Sequence, residues 1–381
     1  MYNTTMEKYY INTYGCQMNV HESEKIAGIL REMGYEEAKD DKEADIIVFN
    51  TCCIRETAEK RTLGHIGDVK HLKKAKPSLI VAVCGCMSQQ SHRAEELKKS
   101  FPFIDIIFGT SNMHKFKDFI LARKAGSRRI LDIQEYKGVI EGLNPHRTSG
   151  DNAWVNISYG CNNFCTYCIV PYVRGRERSR KVEDILDEIR TLLADGKYKT
   201  ITLLGQNVNS YGKDLQGGVN FETLLKKIDE LEGDFEVKFM SSHPKDFTLS
   251  LVDTIANSKK VSREIHLPLQ AGSSKVLKDM NRQYDIEKYL SIVDYIKERM
   301  PDARLTTDII VGFPGETEED FECTMNVLRR VQFDGVFAFM YSRRKGTKAY
   351  DFENQVDSAT KHRRVNAVLA LQKEILKQKE V

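Results

Sequence analysis

The sequence predicts an α/β protein with two successive domains, a parallel-sheet domain followed by a partial (β/α)6 barrel. Two observations support this prediction. Short apolar runs of strand length alternate with longer amphipathic segments, which is typical of βα units. A polar stretch then interrupts the alternation, which restarts after it. We therefore expect a first domain over residues 1–120, a linker over 121–150 and a second domain over 151–381.

Three nearly continuous apolar runs in the first domain predict buried strands of a parallel sheet. They are Tyr9–Tyr14, Asp45–Asn50 and Leu79–Cys84. Between the first two, the apolar residues of Glu22–Met33 recur at helical spacing, which predicts an amphipathic helix. The polar segment GLNPHRTSGDN predicts the linker.

Six further apolar runs predict the strands of the second domain, namely Ala153–Ser158, Thr200–Leu204, Glu236–Ser241, Glu264–Leu267, Leu305–Val311 and Gly335–Tyr341. Apolar stripes over 182–193 and 221–231 predict helices between them, and a charged helix is predicted over Ala359–Lys379. Six βα units are too few for the usual eight-stranded barrel and suit an open one. In open and in closed barrels alike, ligands bind at the carboxyl ends of the strands.

Composition and charge indicate a cytoplasmic protein with no membrane partner. Of the 381 residues, 41% are hydrophobic and 30% are charged; no apolar run approaches the length of a bilayer span, and the N-terminus lacks the pattern of a signal peptide. The nine cysteines are many for a reducing compartment, where clustered cysteines indicate metal binding or catalysis rather than disulfides. The net charge of +3 leaves any nucleic-acid binding to local basic surfaces.

The strongest motif comprises Cys161, Cys165 and Cys168, on a loop directly after the first strand of the second domain. A structural zinc site would require four ligands, usually arranged in the sequence as two pairs. A ferredoxin cluster would use other cysteine spacings and a fourth cysteine. Three thiolates on one short loop favour a four-iron cluster with one iron left open for a ligand. Zinc and plain electron transfer are the alternatives.

Cys16, Cys52 and Cys86 each follow the end of a predicted strand. Because the carboxyl ends of parallel strands share one edge of the sheet, we expect these distant cysteines to converge there as ligands of a second metal site. Three buried thiols are the alternative, since free cysteine is often part of the core. The other three cysteines are expected to be structural, with the side chain of Cys53 pointing away from the site: Cys53, Cys84 and Cys323.

The sequence around the cysteines resembles the radical S-adenosylmethionine (SAM) methylthiotransferase family along essentially the whole chain. The matching motifs are YGCQMN (14–19), NTCCIRETAEKR (50–61), GCM (85–87), VPYVRGRERSR (170–180), LLGQNVNSYG (203–212), SSHP (241–244), LPLQAGS (267–273), TDIIVGFPGE (307–316) and YSRRKGT (341–347). YGCQMN resembles the branch that modifies isopentenylated adenosine in tRNA. It is less similar to the branches acting on threonylcarbamoyl-adenosine or on ribosomal protein S12.

The resemblance implies two 4Fe-4S clusters, one on each set of three cysteines, with SAM bound to the open iron of the cluster on the loop. It implies that one SAM methylates a sulfur attached to the second cluster, and that another yields the radical that activates carbon 2 of the adenine. An aromatic C–H offers no acidic proton, so this step needs hydrogen-atom chemistry. The implied partners are the anticodon arm of tRNA and an electron donor such as flavodoxin or ferredoxin.

The resemblance also implies SAM contacts at the strand ends of the barrel. The expected residues are Tyr167, packed on the adenine of SAM, together with Gly205, Gln206, Asn207, Ser241, His243 and Gln270. The alternative for Gly205–Asn207 is a simple strand-to-loop turn. The alternative for the last three is a cap on the helix that follows.

Taken with the resemblance, two runs of basic residues favour contact with the RNA backbone or with the SAM carboxylate. They are Arg174, Arg176, Arg178 and Arg180 beside the cysteine loop, and Arg343 in a second run. The alternative for such runs is a solvated face. Relatives usually continue into a small tRNA-binding β-barrel called TRAM, which this sequence lacks. We therefore expect tRNA binding to be weak and to weaken further with salt.

Two other functions fit parts of the sequence. A radical SAM methyltransferase with a cobalamin-binding N-terminal domain would share the domain order, but it gives no reason for a cysteine after each of three strands. A non-enzymatic iron–sulfur electron carrier or RNA-binding module would hold a cluster but would not cleave SAM when reduced.

Overall fold

The structure is a computed structural model that describes residues 6–53, 56–148 and 150–379. It divides into two compact units. Unit 1 comprises Met1–Gly150 and Ile169–Arg176, and unit 2 comprises Asp151–Cys168 and Glu177–Val381. The segment directly after the cysteine loop therefore packs with unit 1, although its sequence lies inside the second half.

Unit 1 is built on a parallel sheet whose three long strands are the predicted ones, shifted by one residue. They are Lys8–Thr13, Ile46–Thr51 and Ile80–Gly85, adjacent in that order. The second and third strands are buried at every position, as their continuous apolar runs require. The sheet also contains three short strands that the sequence did not predict, Glu36–Glu37, Ile106–Phe108 and Ile130–Asp132.

The segment 121–150 is not a free linker, which corrects the prediction. Its strand Ile130–Asp132 forms the edge of the unit 1 sheet. The backbone N–H of His146 donates to the carbonyl of Glu24 at 2.8 Å. A Cβ at Gly28 would lie 1.8 Å from the carbonyl oxygen of Asn144, so the polar segment lies directly on the first helix. The described helices of unit 1 are Gln17–Glu32, Glu56–Asp68, Lys70–Ala75, Cys86–Gln89, Ser91–Ser100, Phe116–Lys124 and Val170–Arg174.

Unit 2 is the predicted open barrel of six parallel strands. They run in chain order as Asn152–Asn156, Thr200–Leu204, Glu236–Phe239, Glu264–His266, Arg304–Val311 and Gly335–Met340. The first three and the last three strands form two three-stranded sheets, and an isolated parallel bridge pairs Val237 of the third strand with Val261, just before the fourth. A short antiparallel pair, Ser158–Tyr159 with Arg178–Ser179, lies at the end of the first strand.

Amphipathic helices cover the outside of this barrel. The stripe predicted from the sequence is buried in Val182–Ala194, where Ile185 and Ile189 are fully enclosed. The other helices are Phe221–Asp229, Leu249–Asn257, Ser274–Asp279, Ile286–Arg299, Glu318–Val331 and Ser358–Lys379. Single 3₁₀ turns occur in both units at Asp41–Glu43, Met113–Lys115, Val208–Ser210, Pro244–Asp246 and Lys348–Asp351. Within the described part of the chain, no helix is long and apolar enough to cross a membrane.

Candidate metal centres

The strand-end cysteines of unit 1, Cys16, Cys52 and Cys86, follow one row of the sheet. Thr13 is in register with Asn50, and Asn50 with Cys84. The three cysteines come two or three residues after this row, at the carboxyl edge of the sheet. The register of the strands therefore brings the backbones of the three cysteines to the same edge of the sheet.

Glycines allow the strand ends to approach this closely. Gly15 has a φ of 115°, and a Cβ there would lie 2.6 Å from the Cβ and 2.8 Å from the Sγ of Cys52. Gly85 has a φ of 96°, and a Cβ there would lie 2.3 Å from the carbonyl oxygen of Thr51. Both positions favour glycine for its backbone freedom and for its lack of a side chain.

A buried arginine provides positive charge beside these thiols. The Nη1 of Arg174 donates to Oε1 of Glu22 at 2.6 Å, and its Nη2 donates to Oδ1 of Asn19 at 2.9 Å. A hydrogen bond from Cys53, followed by the charge of Arg174, lowers the pKa of the Cys86 thiol to about 7. A lowered pKa favours the thiolate, which is the form that binds metal.

Cys53 is a correction to the prediction. Its thiol was expected to point away from the site, but it forms a hydrogen bond with Cys86 that raises the pKa of Cys53. The strand ends at Thr51, so the alternation of side chains along a strand no longer fixes the direction of the two residues after it. Cys84 is buried in the sheet and Cys323 is exposed on a helix.

The cysteine loop, Cys161–Cys168, is the candidate centre of unit 2. Cys161 and Cys165 are buried and Cys168 is half-buried. Burial raises the pKa of the Cys161 thiol to about 11. The loop itself is held by a distant segment, since Nδ2 of Asn281 donates to the carbonyl oxygens of Asn163 and Phe164 at 3.1 and 3.0 Å.

Arg282, next to Asn281, touches a predicted ligand directly. Its Nη1 lies 3.5 Å from the Sγ of Cys165 and 3.4 Å from the hydroxyl of Tyr167. Sequence reasoning missed both Asn281 and Arg282. They lie more than a hundred residues from the loop and have no spacing that relates them to it.

The donor chemistry decides which group these sites fit. Over residues 6–53, 56–148 and 150–379, no three or more His, Cys, Asp or Glu side chains surround a single point as the ligands of one ion would. A four-iron cluster binds each thiolate through a different iron, so its ligands need not converge on one point. Three thiols with a buried arginine beside them, found in each unit, fit such a cluster better than four-coordinate zinc.

Unpaired polar atoms mark a ligand site at the first three strand ends of the barrel. Buried side-chain N or O atoms that have no hydrogen-bond partner within the described part of the chain occur on Asn156, Ser158, Glu177, Asn207, Asn209, Ser242 and His243. Such atoms are costly to bury, and a polar ligand would satisfy them. The amino, carboxylate and ribose groups of SAM offer donors and acceptors of the required kind.

The predicted strand-end motif Gly205–Asn207 lies within this group. A Cβ at Gly205 would lie 2.6 Å from the Oγ of Ser158, which explains the glycine. Asn207 is buried, and its Nδ2 donates to Asp246 at 2.7 Å while its Oδ1 lacks a partner. Gln206 is half-buried.

The other predicted SAM residues have mixed outcomes. Ser241 is exposed with a φ of 67°, and it is the hydroxyl of Ser242 that is buried and unpaired. The Nδ1 of His243 accepts from the backbone N–H of Lys245 at 3.2 Å, so this residue caps a short helix as the alternative proposed. Burial lowers the pKa of His243, so the ring is neutral at neutral pH. The backbone N–H of Gln270 donates a hydrogen bond to the backbone carbonyl of Asp308.

Two of the predicted RNA contacts are wrong. Arg174 is buried against Glu22, and Arg180 is buried with its Nη1 donating to Glu188 at 2.6 Å and to the Asn156 carbonyl at 2.8 Å. Their cationic groups are neutralised inside the protein and do not face RNA. The remaining residues are Arg176, which is exposed, Arg178, which is half-buried, and Arg343, which is exposed with its guanidinium 4.5 Å from the centre of the Tyr350 ring.

Comparison with known proteins identifies both units. A family model described as the uncharacterized protein family UPF0004 matches residues 8–109, and the radical SAM superfamily model matches residues 155–328. A tRNA-2-methylthio-N(6)-dimethylallyladenosine synthase of Caldicellulosiruptor saccharolyticus is 54% identical over 96% of this chain and 78% of the relative. The enzyme of that name from Clostridium tetani is 53% identical over 93% of this chain and 79% of the relative.

Solved structures show the same fold at low sequence identity. The radical SAM methyltransferase TsrM from Kitasatospora setae, with cobalamin and a [4Fe-4S] cluster bound, is similar with a TM-score of 0.65 at 13% identity, over 91% of this chain and 74% of that one. The cobalamin-dependent enzyme OxsB gives a TM-score of 0.58, over 97% of this chain and 56% of that one. By its identity to the curated relatives, the chain belongs to the tRNA-2-methylthio-N(6)-dimethylallyladenosine synthase family of radical SAM enzymes.

Proposed function

We propose that this enzyme transfers a methylthio group to carbon 2 of N6-isopentenyladenosine beside the anticodon of tRNA. The observation that carries the proposal is that each unit holds its own set of three cysteines at strand ends, each with a buried arginine beside it. A reaction that needs both a radical and a sulfur source accounts for two such sites. We infer the substrate from the names of relatives that are more than 50% identical to this chain.

The residues of the chain divide this work between the units. Bound iron–sulfur clusters and SAM supply the electron, the radical and the sulfur. Cys161, Cys165 and Cys168 hold one cluster, while Cys16, Cys52 and Cys86 hold the other. The unpaired polar atoms around Asn207 and Glu177 orient SAM beside the cysteine loop. This arrangement fixes the geometry before reaction, so less of the barrier remains to be overcome.

Two partners complete the proposal. Exposed cations of unit 2 provide phosphate contacts for the anticodon arm, with Arg343, Lys345 and Lys348 close together in the sequence. The electron comes from a small carrier protein such as flavodoxin or ferredoxin.

The cobalamin alternative rests on the fold alone. TsrM and OxsB are similar in structure at 13% identity, whereas the methylthio-transferring relatives match at more than 50%. Purified enzyme is therefore expected to lack the visible absorbance of cobalamin. A stoichiometric cobalamin spectrum would contradict the proposal.

Iron content tests the two cysteine sites. Anaerobically reconstituted protein should bind about eight irons, as two four-iron clusters require. Changing Cys161, Cys165 and Cys168 to Ala should halve the iron and abolish reductive SAM cleavage. Changing Cys16, Cys52 and Cys86 to Ala should also halve the iron but leave SAM cleavage largely intact.

The matched control is Cys323→Ala, which removes an exposed thiol on a helix and should leave both quantities unchanged. If the variant of the strand-end cysteines keeps all of its iron, the site assigned to unit 1 is wrong. If Cys53→Ala costs as much iron as Cys52→Ala, the assignment of the ligands within that site is wrong.

A further inference from the structure

The cysteine loop depends on a segment that lies more than a hundred residues further along the chain. The backbone N–H of Thr166 donates to the carbonyl of Met280 at 3.0 Å, and the Thr166 hydroxyl donates to the carbonyl of Asp279 at 2.9 Å. The Asn281 side chain adds two donors to loop carbonyls. The segment 279–284, which follows the helix Ser274–Asp279, therefore packs along the loop from Asn163 to Tyr167.

Arg282 is the charged member of this segment, and it is 5% exposed. The groups that its guanidinium contacts are the Tyr284 hydroxyl at 3.1 Å, the Pro268 carbonyl at 3.3 Å, the Tyr167 hydroxyl at 3.4 Å and the Cys165 Sγ at 3.5 Å. All are formally neutral while the thiol is protonated. Among the described residues, no carboxylate forms an ion pair with this buried cation.

A buried cation without a counter-charge is strongly unfavourable, because it has lost its water without gaining an anion. Other buried arginines of this chain follow that rule. Arg174 is paired with Glu22, Arg180 with Glu188 and Arg364 with Glu316. Arg282 departs from it, and the group beside its Nη1 is the Cys165 sulfur, which becomes anionic on binding metal.

The backbone is also strained at this position. Asn281 and Gln283 both have a φ of 57°, in the left-handed region that favours glycine. Asparagine tolerates this conformation, but glutamine less so. Strain of this kind persists where the surrounding contacts hold the backbone in place. Here the strained backbone directs the side chain of Arg282 toward the loop.

We propose that Arg282 is a positioning residue whose buried positive charge compensates the iron–sulfur cluster at Cys165 and favours its reduced form. The inference rests on the proposed function, because it requires a cluster on the cysteine loop. Reduction adds one electron to the cluster and so adds one unit of negative charge next to the guanidinium. The cation therefore stabilises the reduced state more than the oxidised state, and it raises the reduction potential.

The first measurement is the reduction potential of the cluster on the loop, determined in the absence of SAM. The C16A/C52A/C86A variant carries only the cluster on the loop, and Arg282→Gln is introduced into it. Each protein is titrated anaerobically with dithionite, and the signal of the reduced cluster is followed by electron paramagnetic resonance. R282Q should shift the midpoint to a more negative potential, and SAM cleavage by a fixed concentration of reductant should fall about tenfold or more.

Three further variants separate charge from structure. R282K keeps the charge and should recover most of the potential. N281A keeps the charge but loses two loop hydrogen bonds, so it should lower iron retention without an equal shift in potential. Arg299→Gln removes an exposed arginine of the same unit and should change neither quantity.

The outcomes are distinct. If the C16A/C52A/C86A parent binds no iron, the proposed function fails before Arg282 is tested. If R282Q binds iron normally and keeps the parent's potential, the inference is overturned. An unchanged potential with weakened SAM binding would also overturn it, because the partner of Arg282 would then be the SAM carboxylate.

Discussion

At the scale of single residues, Glu177 shows how the barrel accommodates an unfavourable group. Burial raises the pKa of its carboxyl from 4.5 to about 7, and Oε1 has no hydrogen-bond partner among the described residues. The charged groups that also affect it are Asp214, Lys213 and Asp246. Burying a carboxyl that is half-protonated near neutral pH lowers the stability of the fold. Such perturbed groups are often found in binding sites.

Stability as a function of pH tests this account of Glu177. Between pH 4.5 and about 7 the unfolded chain releases this proton while the folded chain retains it, so stability falls as pH rises through that window. E177Q cannot titrate and should escape this loss. Its stability relative to the parent should therefore increase from pH 5 to pH 7.5 by on the order of 1 to 3 kcal/mol.

Urea unfolding of the cluster-loaded proteins under nitrogen provides the measurement. Glu230→Gln, which alters an exposed carboxylate of the same unit, is the comparison that shows whether any lost carboxyl has this effect. A constant difference between E177Q and the parent at all pH values would show that Glu177 titrates normally.

At the residue scale, local motifs could be recognised in the sequence, whereas contacts between distant residues could not. The cysteine spacing of 161–168 and the strand ends before Cys16, Cys52 and Cys86 are visible in the sequence. Arg174 and Arg180 were assigned to RNA because they belong to a basic run beside the cysteine loop in a sequence that resembles tRNA-modifying enzymes. Their buried partners, Glu22 and Glu188, are not marked by anything in the sequence.

At the scale of elements, the strands Ile46–Thr51 and Ile80–Gly85 were predictable because they are nearly continuous apolar runs that are buried throughout. The strand Ile130–Asp132 was not, since three residues carry too little periodicity to distinguish a strand from a loop. The helix Val170–Arg174 lies in the second half of the sequence but belongs to unit 1. Ile169, just before the helix, and Val173 within it are buried and apolar. Their sequence does not show which hydrophobic core they pack against.

The ion pair of Arg174 with Glu22 attaches this helix to the rest of unit 1. R174M should destabilise the unit by about 3–5 kcal/mol, because it leaves the Glu22 carboxylate buried without a partner. The double variant R174M/E22L should be less destabilised than R174M alone, since it removes the uncompensated charge as well.

Denaturant unfolding followed by circular dichroism measures R174M, E22L and the double variant, with Arg363→Met as the control for an exposed arginine that pairs with Glu318. The control should cost less than about 1 kcal/mol, as surface ion pairs do. If the two single changes R174M and E22L simply add in the double variant, the pair is not coupled and this account of the helix is wrong.

At the scale of the whole molecule, the proposed function assigns a separate cysteine site to each of the two units. The two sets of three cysteines lie in segments that match separate family models, at residues 8–109 and 155–328. The fold class was predictable because buried strands alternate with amphipathic helices in the sequence. The charged residues that surround the sites were not, since burial depends on packing that no single motif encodes.

The substrate distinguishes this account from the related branches of the family. An apolar pocket for the isopentenyl group would lose about 0.8 kcal/mol of burial energy for each missing CH₂. Unmodified adenosine should therefore be a poor substrate. In cells that lack the isopentenyl-transferring enzyme, the chain should add no methylthio group to tRNA.

The most direct test is mass spectrometry of tRNA nucleosides from cells that lack their own methylthiotransferase of this branch and express this chain. Expression should convert isopentenyladenosine to its 2-methylthio derivative, whereas expression of the variant with Cys161→Ala, Cys165→Ala and Cys168→Ala should leave it unmodified. Accumulation of unmodified isopentenyladenosine despite cluster-loaded protein, or appearance of the methylthio group on threonylcarbamoyl-adenosine or on ribosomal protein S12 instead, would contradict the account.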